Sequence, residues 1–316
     1  RKEPTFTLKG KVVDKRAGEG QRFVVELRQR REMLDWGGSA QTQTDEDGSF
    51  EFKQNLRGRY RLSARLPDSQ GSRKEQRVGF VEIDLTKDIE NAVLELKPAF
   101  GVRGTVEVRG ADASKVDLTK FTASLYTAIG WPALMTPGFV TANADGSWSF
   151  DDVLPGQYTL DCSAGWMRGM RPHLVSAKVN GRELQGRDVL FTEESLGPIE
   201  CVFSTDSATI SGEIEGGRAG LNVRSMAIAI STDEVQRRAE SPRQGGIDEK
   251  GAFKIDGLKP GEYLVFVFND YDYGVLDDPG VLKRITPMAV RVKAVARAEA
   301  RVQVKVTDWP ETRIHE

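Results

Sequence analysis

The chain has 316 residues, with 45 Lys and Arg against 47 Asp and Glu, two histidines and two cysteines, for a formal net charge of −2. That balance leaves no electrostatic case for nucleic acid or for an anionic membrane surface as a partner. No apolar run approaches the length of a membrane span, so no membrane insertion is expected.

The first predicted strand covers residues 5–13, with Phe6, Leu8 and Val12 on one face. Gly10 interrupts that stripe, as a bulge or a close backbone approach would require. A strand over 22–28 alternates Phe23, Val25 and Leu27, a polar stretch carries Met33, Leu34 and Trp36, and a strand over 40–44 follows. Next comes Asp45-Glu-Asp47-Gly48-Ser-Phe50-Glu-Phe52, then Leu56-Arg-Gly58-Arg-Tyr60-Arg-Leu62. An Asp-Gly pair supplies the positive φ of a tight hairpin turn, and the alternating Phe50/Phe52 and Tyr60/Leu62/Ala64 bury one face of each flanking strand. A solvated loop over 67–76, strands over 77–84 and 92–96, and Pro98 close the segment.

The series then restarts. Residues 100–106 and Phe121, Ala123 and Leu125 mark two strands, and an apolar loop over 129–139 holds Trp131, Leu134, Met135 and Phe139. The turn element returns as Asn143-Ala-Asp145-Gly146-Ser-Trp148-Ser-Phe150 and Leu154-Pro155-Gly156-Gln-Tyr158-Thr-Leu160. A second apolar loop carries Trp166, Met167 and Met170 before strands over 174–180 and 197–204. A third start covers 208–214, with a strand over 224–231 and a charged loop over 233–244 suited to a helical turn. The turn element appears once more as Asp248-Glu-Lys-Gly251-Ala-Phe253-Lys-Ile255 and Leu258-Lys-Pro260-Gly261-Glu-Tyr263. A Tyr/Asp loop with Tyr271 and Tyr273, strands over 288–295 and 298–306, and a tail read as unstructured complete the chain.

The paired glycines fall at 48 and 58, 146 and 156, and 251 and 261, with a tyrosine two residues later each time. A register kept three times is an internal repeat. The expected architecture is all-β: three tandem seven-stranded antiparallel β-sandwiches of prealbumin or Ig-like type, over 1–98, 99–205 and 206–307, with a tail over 308–316. Gly48, Tyr60, Gly146, Tyr158, Gly251 and Tyr263 are structural in this reading. Each tyrosine buries its ring and sends its hydroxyl to a backbone carbonyl at the sandwich corner.

Catalytic chemistry finds no support. His173 follows Pro172 and His315 lies near the terminus, neither within a nucleophile motif. The cysteines lack zinc spacing, and no phosphate-binding glycine loop occurs. No catalytic residue and no cofactor is expected. The Asp45–Gly48 turn holds part of a calcium-loop spacing without the remaining ligands, so its carboxylates are read as acceptors of turn N–H groups. Asp270, Asp272, Asp277 and Asp278 form a better metal candidate than that turn, with Asp278 otherwise capping a helix that begins at Pro279. Cys162 and Cys201 share parity with core positions, which fits either a disulfide or two buried thiols. The candidate contact residues are Trp36, Trp131, Met135, Phe139, Trp166, Met167, Met170, Tyr271 and Tyr273. Loop tryptophans stack on sugars or anchor proteins, and methionines suit adaptable protein contacts.

The opening strands at Gly10-Lys-Val12, Gly104-Thr-Val106 and Gly212-Glu-Ile214, with the Asp-x-Asp-Gly-x-Phe and Leu-x-Pro-Gly-x-Tyr elements, resemble carboxypeptidase regulatory-like domains, also grouped as transthyretin-like or starch-binding-like sandwiches. Residues 176–189 and 276–282 resemble multi-repeat envelope or secreted proteins of acidobacterial type. Arg57 departs from the pattern where proline is usual, and Lys250 replaces its second aspartate. The resemblance implies a non-catalytic accessory placed outside the cytoplasm, in the periplasm, on the cell surface or secreted. The chain begins at Arg1 rather than Met, which fits either a removed leader or a trimmed chain. The expectation is therefore a structural or adaptor protein whose partners are other protein subunits, with a polysaccharide-binding accessory module as the alternative.

Overall fold

A computed structural model describes residues 4–29, 38–67, 75–127, 137–165, 167, 170–192, 197–217, 220–222, 224–271, 276 and 279–309. The first unit contains β1 (Thr5–Val13), β2 (Val24–Gln29), β3 (Ser39–Gln43), β4 (Ser49–Leu56), β5 (Gly58–Arg65), β6 (Arg77–Leu85), β7 (Ile89–Glu95) and β8 (Lys97–Pro98). The second contains β9 (Phe100–Arg109), β10 (Phe121–Thr127), β11 (Gly138–Thr141), β12 (Ser147–Val153), β13 (Gly156–Ala164), β14 (His173–Val179), β15 (Arg182–Glu183), β16 (Asp188–Phe191) and β17 (Ile199–Ser204). The third opens with β18 (Ala208–Ile214), β19 (Met226–Ser231), α1 (Glu234–Ala239), β20 (Arg243–Gly246) and β21 (Ala252–Leu258). It continues with β22 (Gly261–Phe268), α2 (Pro279–Ile285), β23 (Val290–Ala294), β24 (Glu299–Val304) and β25 (Val306–Thr307).

One topology is laid down three times. A sheet of order β4-β1-β7 faces β3-β2-β5-β6, β12-β9-β17 faces β11-β10-β13-β16, and β21-β18-β24 faces β20-β19-β22-β23. Antiparallel pairs dominate. The exception common to all three is the opening strand, which lies parallel to the closing one in β1–β7, β9–β17 and β18–β24. When seven strands alternate in direction the first and last point the same way, so pairing them in one sheet makes them parallel. Each pair of sheets encloses its own apolar cluster, including Leu27 and Leu62 in the first, Phe121 and Phe203 in the second, and Ile210 and Val265 in the third.

The turn glycines need their positive φ, which is +85° at Gly48, +84° at Gly146 and +83° at Gly251. A close approach adds to that need: a Cβ on Gly48 or Gly146 would lie 2.7 Å or 2.6 Å from the Val12 or Val106 carbonyl oxygen. The opening-strand glycines answer a second requirement. Gly10, Gly104 and Gly212 pair directly across from Phe50, Trp148 and Phe253, and a Cβ there would meet each ring at 2.5 Å or less. The stripe interruption at Gly10 is a seat for an aromatic ring.

The three units differ where the strand after the tyrosine connects onward. From β5 to β6 the link spans 66–76. Between β13 and β16 the chain inserts the hairpin β14–β15, which continues the other sheet by pairing β14 with β17. Between β22 and β23 it inserts α2, which covers the outer face of the second sheet. There Ile228, Ile230, Leu264, Phe266 and Phe268 are buried with Leu276, Val281 and Ile285. Trp309 packs edge-on against Phe268 at 5.1 Å, so the start of the tail belongs to this layer. Strand-to-strand links join the units: Ala99 alone separates β8 from β9, and residues 205–207 separate β17 from β18.

Candidate functional site

At each signature turn one aspartate accepts from donors within the turn itself. Asp47 Oδ1 accepts from the Ser49 amide at 3.0 Å and its hydroxyl at 2.7 Å, and Asp145 does the same for Ser147 at 2.9 and 2.6 Å. Those donors hold both carboxyls below the usual range. In the third copy, where Lys250 stands, Asp248 Oδ1 accepts from the Lys250 and Ala252 amides instead, at 2.9 and 2.8 Å. One aspartate thus replaces the other. The tyrosine hydroxyls donate to Leu56, Leu154 and Lys259 carbonyls at 2.8, 2.8 and 2.7 Å. Each bonds four residues back and clamps the corner between two strands.

Catalytic geometry is absent from the one histidine–serine contact among the described residues. His173 Nδ1 lies 3.0 Å from Ser207 Oγ, but that hydroxyl donates to the Arg171 carbonyl at 2.9 Å. The imidazole is therefore the donor, and no base takes the serine proton. Burial, then Lys259 and Arg243, lowers the His173 pKa to about 4, so the ring is neutral near pH 7. Its surroundings form a seam between the second and third units. Lys259 Nζ donates to the Val175 carbonyl at 3.4 Å, Arg187 to Ser241 Oγ at 2.5 Å, and Gly257 seats the Arg171 side chain. Glu240, 3.7 Å from Arg243, is buried there, and that burial pushes its carboxyl up. A cleft of about 770 Å³ runs along the seam, lined by residues such as Arg187, Asp188, Glu234 and Arg238. Within it Arg238 is paired to Glu234, and Arg237 donates to the Ser231 and Thr232 carbonyls.

Trp36, Trp131, Met135, Trp166 and Tyr273, with Asp272, Asp277 and Asp278, lie outside the described residues. Phe139 stands on the edge strand β11 and is 71% exposed. Met167 and Met170 bridge each other through backbone bonds, and Met167 packs against the second core. Tyr271 is partly buried and packs beside Trp309 over the third sheet. Asp270 lies 3.6 Å from Arg224. Among the described residues no group of three or more His, Cys, Asp or Glu side chains is arranged to hold a metal ion. Cys162 on β13 and Cys201 on β17 are joined as a disulfide between the two sheets of the second unit.

Sequence reasoning missed the strands β11 and β16 and the second apolar layer of the third unit. A signal for that layer exists. Met226–Ile230 and Tyr263–Phe268 are uninterrupted apolar runs, which indicate strands covered on both faces.

No family model and no curated protein matches the chain. Among solved structures, the minor pilin GBS52 of Streptococcus agalactiae aligns over 64% of this chain and 96% of its own, at 12% identity and a TM-score of 0.29. The TIE protein of Bacillus anthracis aligns over 95% of this chain at 12% identity and a TM-score of 0.23, and the chain spans 50% of that protein's length. A DUF3823 family protein from Parabacteroides merdae aligns over 52% of this chain and 82% of its own, at 17% identity and a TM-score of 0.23. Similarity at these scores carries no argument about ligand, partner or location.

Proposed function

We propose that the chain is a non-catalytic spacer and adaptor that presents protein-contact surfaces in an assembly outside the cytoplasm. The observation that carries this reading is how the units are joined. Closing strands run into opening strands through Ala99 and residues 205–207, and buried contacts brace both joints. At the first joint Val78 and Leu154 are buried together, with Phe80 and Ala99 against them. At the second, Ser207 ties the Arg171 carbonyl to His173. A chain built to hold three sandwiches in fixed relation suits presenting surfaces at a set spacing. The extracytoplasmic location is supported by the Cys162–Cys201 disulfide, since such bonds persist in oxidising compartments. The likeness to carboxypeptidase regulatory-like domains and an acidobacterial-type source belong to the same proposal, on the residues that suggested them.

Gentle isolation from the envelope and secreted fractions of the native cells, after brief crosslinking, tests the reading. A protein partner in stoichiometric amount is expected. Recovery as a lone monomer that is retarded in polysaccharide gels would replace it with the sugar-binding alternative.

A further inference from the structure

Each sandwich is entered and left along a single ladder. The chain comes in on the opening strand and goes out on the closing strand, and the two lie side by side and parallel in β1–β7, β9–β17 and β18–β24. Parallel neighbours start at the same end, so the entry of the first and the exit of the second lie at opposite ends of the ladder. A pull on the ends of the chain therefore drives the two strands past each other along their own length. The second ladder runs from Ile199 opposite Gly104 to Ser204 opposite Arg109, and the third from Thr209 opposite Glu299 to Ile214 opposite Val304. Sliding loads all of these backbone bonds together, whereas opening a strand pair from one end loads them in turn.

Side chains tie the same ladders. In the first, the Thr7 amide donates to Asp88 Oδ1 at 2.8 Å, and Lys9 and Lys15 pair with Glu90 and Glu95 at 3.1 and 2.9 Å. In the second, the Ala111 and Asp112 amides donate to Asp206 Oδ1 and Thr205 Oγ1 at 3.3 and 3.2 Å, just beyond the last paired residues. In the third, Ser211 Oγ donates to Glu299 Oε1 at 2.6 Å, and Lys305 pairs with Glu215 at 3.5 Å. Tension passes between ladders with little slack, since Ala99 alone separates β8 from β9 and residues 205–207 separate β17 from β18. The second unit also carries a stop. Its closing strand lies between β9 and β14, and Cys201 within it is bonded to Cys162 on β13. Once β17 slides from β9, unravelling from the entry side halts at Cys162 and from the exit side at Cys201, so the loop between them stays out of the line of force.

We propose that the chain is a tension-bearing tether, with three shear ladders in series and a disulfide that limits how far the second unit can lengthen. The proposal rests on the spacer and adaptor reading and gives it a mechanical role.

Force spectroscopy on the full chain held by its two ends tests this, since rupture under load reports the unfolding barrier along the pulled direction. Three unfolding events are expected, each at a force several-fold above that of the first unit pulled between its amino end and a handle at Leu56→Cys. In that direction β1 and β4 part from the end where Thr5 lies opposite Leu56, one bond after another. Leu56 is exposed and both native cysteines are already bonded, so the handle has a single thiol to take. The same variant pulled by its ends is the folding control and should match the native chain. Reductant should lengthen the second event by about 130 Å, the extended reach of the 39-residue separation between the cysteines. Equal forces in the two directions would overturn the role of the ladders, and a second event that reductant leaves unchanged would overturn that of the disulfide. A weak chain that still brings a stoichiometric partner from native cells would lose the tether and keep the adaptor reading, whereas a strong chain recovered alone would remove the adaptor reading instead.

Discussion

Tyr60, Tyr158 and Tyr263 bury their rings within three separate cores and end in the same bond to the carbonyl four residues back. A buried phenol without that bond carries an unsatisfied hydroxyl, and the carbonyl loses its partner. Tyr158→Phe removes the donor while keeping the ring, and should lower stability by about 1 kcal/mol, seen as a shift of the denaturation midpoint at constant slope. This role was legible in sequence because it depends on spacing alone. The role of His173 was not, since its environment is made by Lys259 and Arg243 from the next unit. Its folded pKa of about 4 lies below the unfolded value near 6.5. Between those values the unfolded chain binds the proton more tightly, so His173 costs stability progressively as pH falls from about 6.5 to about 4. Glu240 acts oppositely, because its raised pKa makes the folded state hold a proton that the unfolded state releases, a cost relieved as pH falls. His173→Gln should flatten the acid-side decline in melting temperature, and an unchanged pH profile would refute the assignment.

Among elements, the link that follows the tyrosine strand carries the differences between units, with an edge-covering hairpin in the second and a face-covering helix in the third. The helix is short, and its stability comes from Val281 and Ile285 buried on Phe266 and Phe268 rather than from its own hydrogen bonds. Ile285→Ala should cost about 2–5 kcal/mol and expose the outer sheet face to a hydrophobic dye, whereas the same change at the exposed Val235 of α1 should do neither. The alternating strands of the hairpin core could be placed from the chain alone, since turn residues and period-two patterns are local signals. Strand β16 escaped because its four residues offer too short a pattern. That β14 would pair with β17 escaped because pairing between distant strands leaves no mark on either one. The continuous runs at Met226–Ile230 and Tyr263–Phe268 did carry the missing layer.

For the whole molecule, the units lack independent linkers and share buried contacts, and the second is further stapled by its disulfide. Cys162 and Cys201 are 39 residues apart, and closing a loop of that length is worth about 4 kcal/mol in the chain-entropy account. Reductant should therefore lower the stability of the second unit most, so that unfolding becomes less cooperative. The central claim is that the three sandwiches behave as one body. Small-angle scattering of the full chain measures this directly, beside a Leu154→Asp variant that places a charge in the first joint. The native chain should fit a single rigid arrangement of the three units, and the variant should broaden the distance distribution. A native profile that requires independently moving units would contradict the claim.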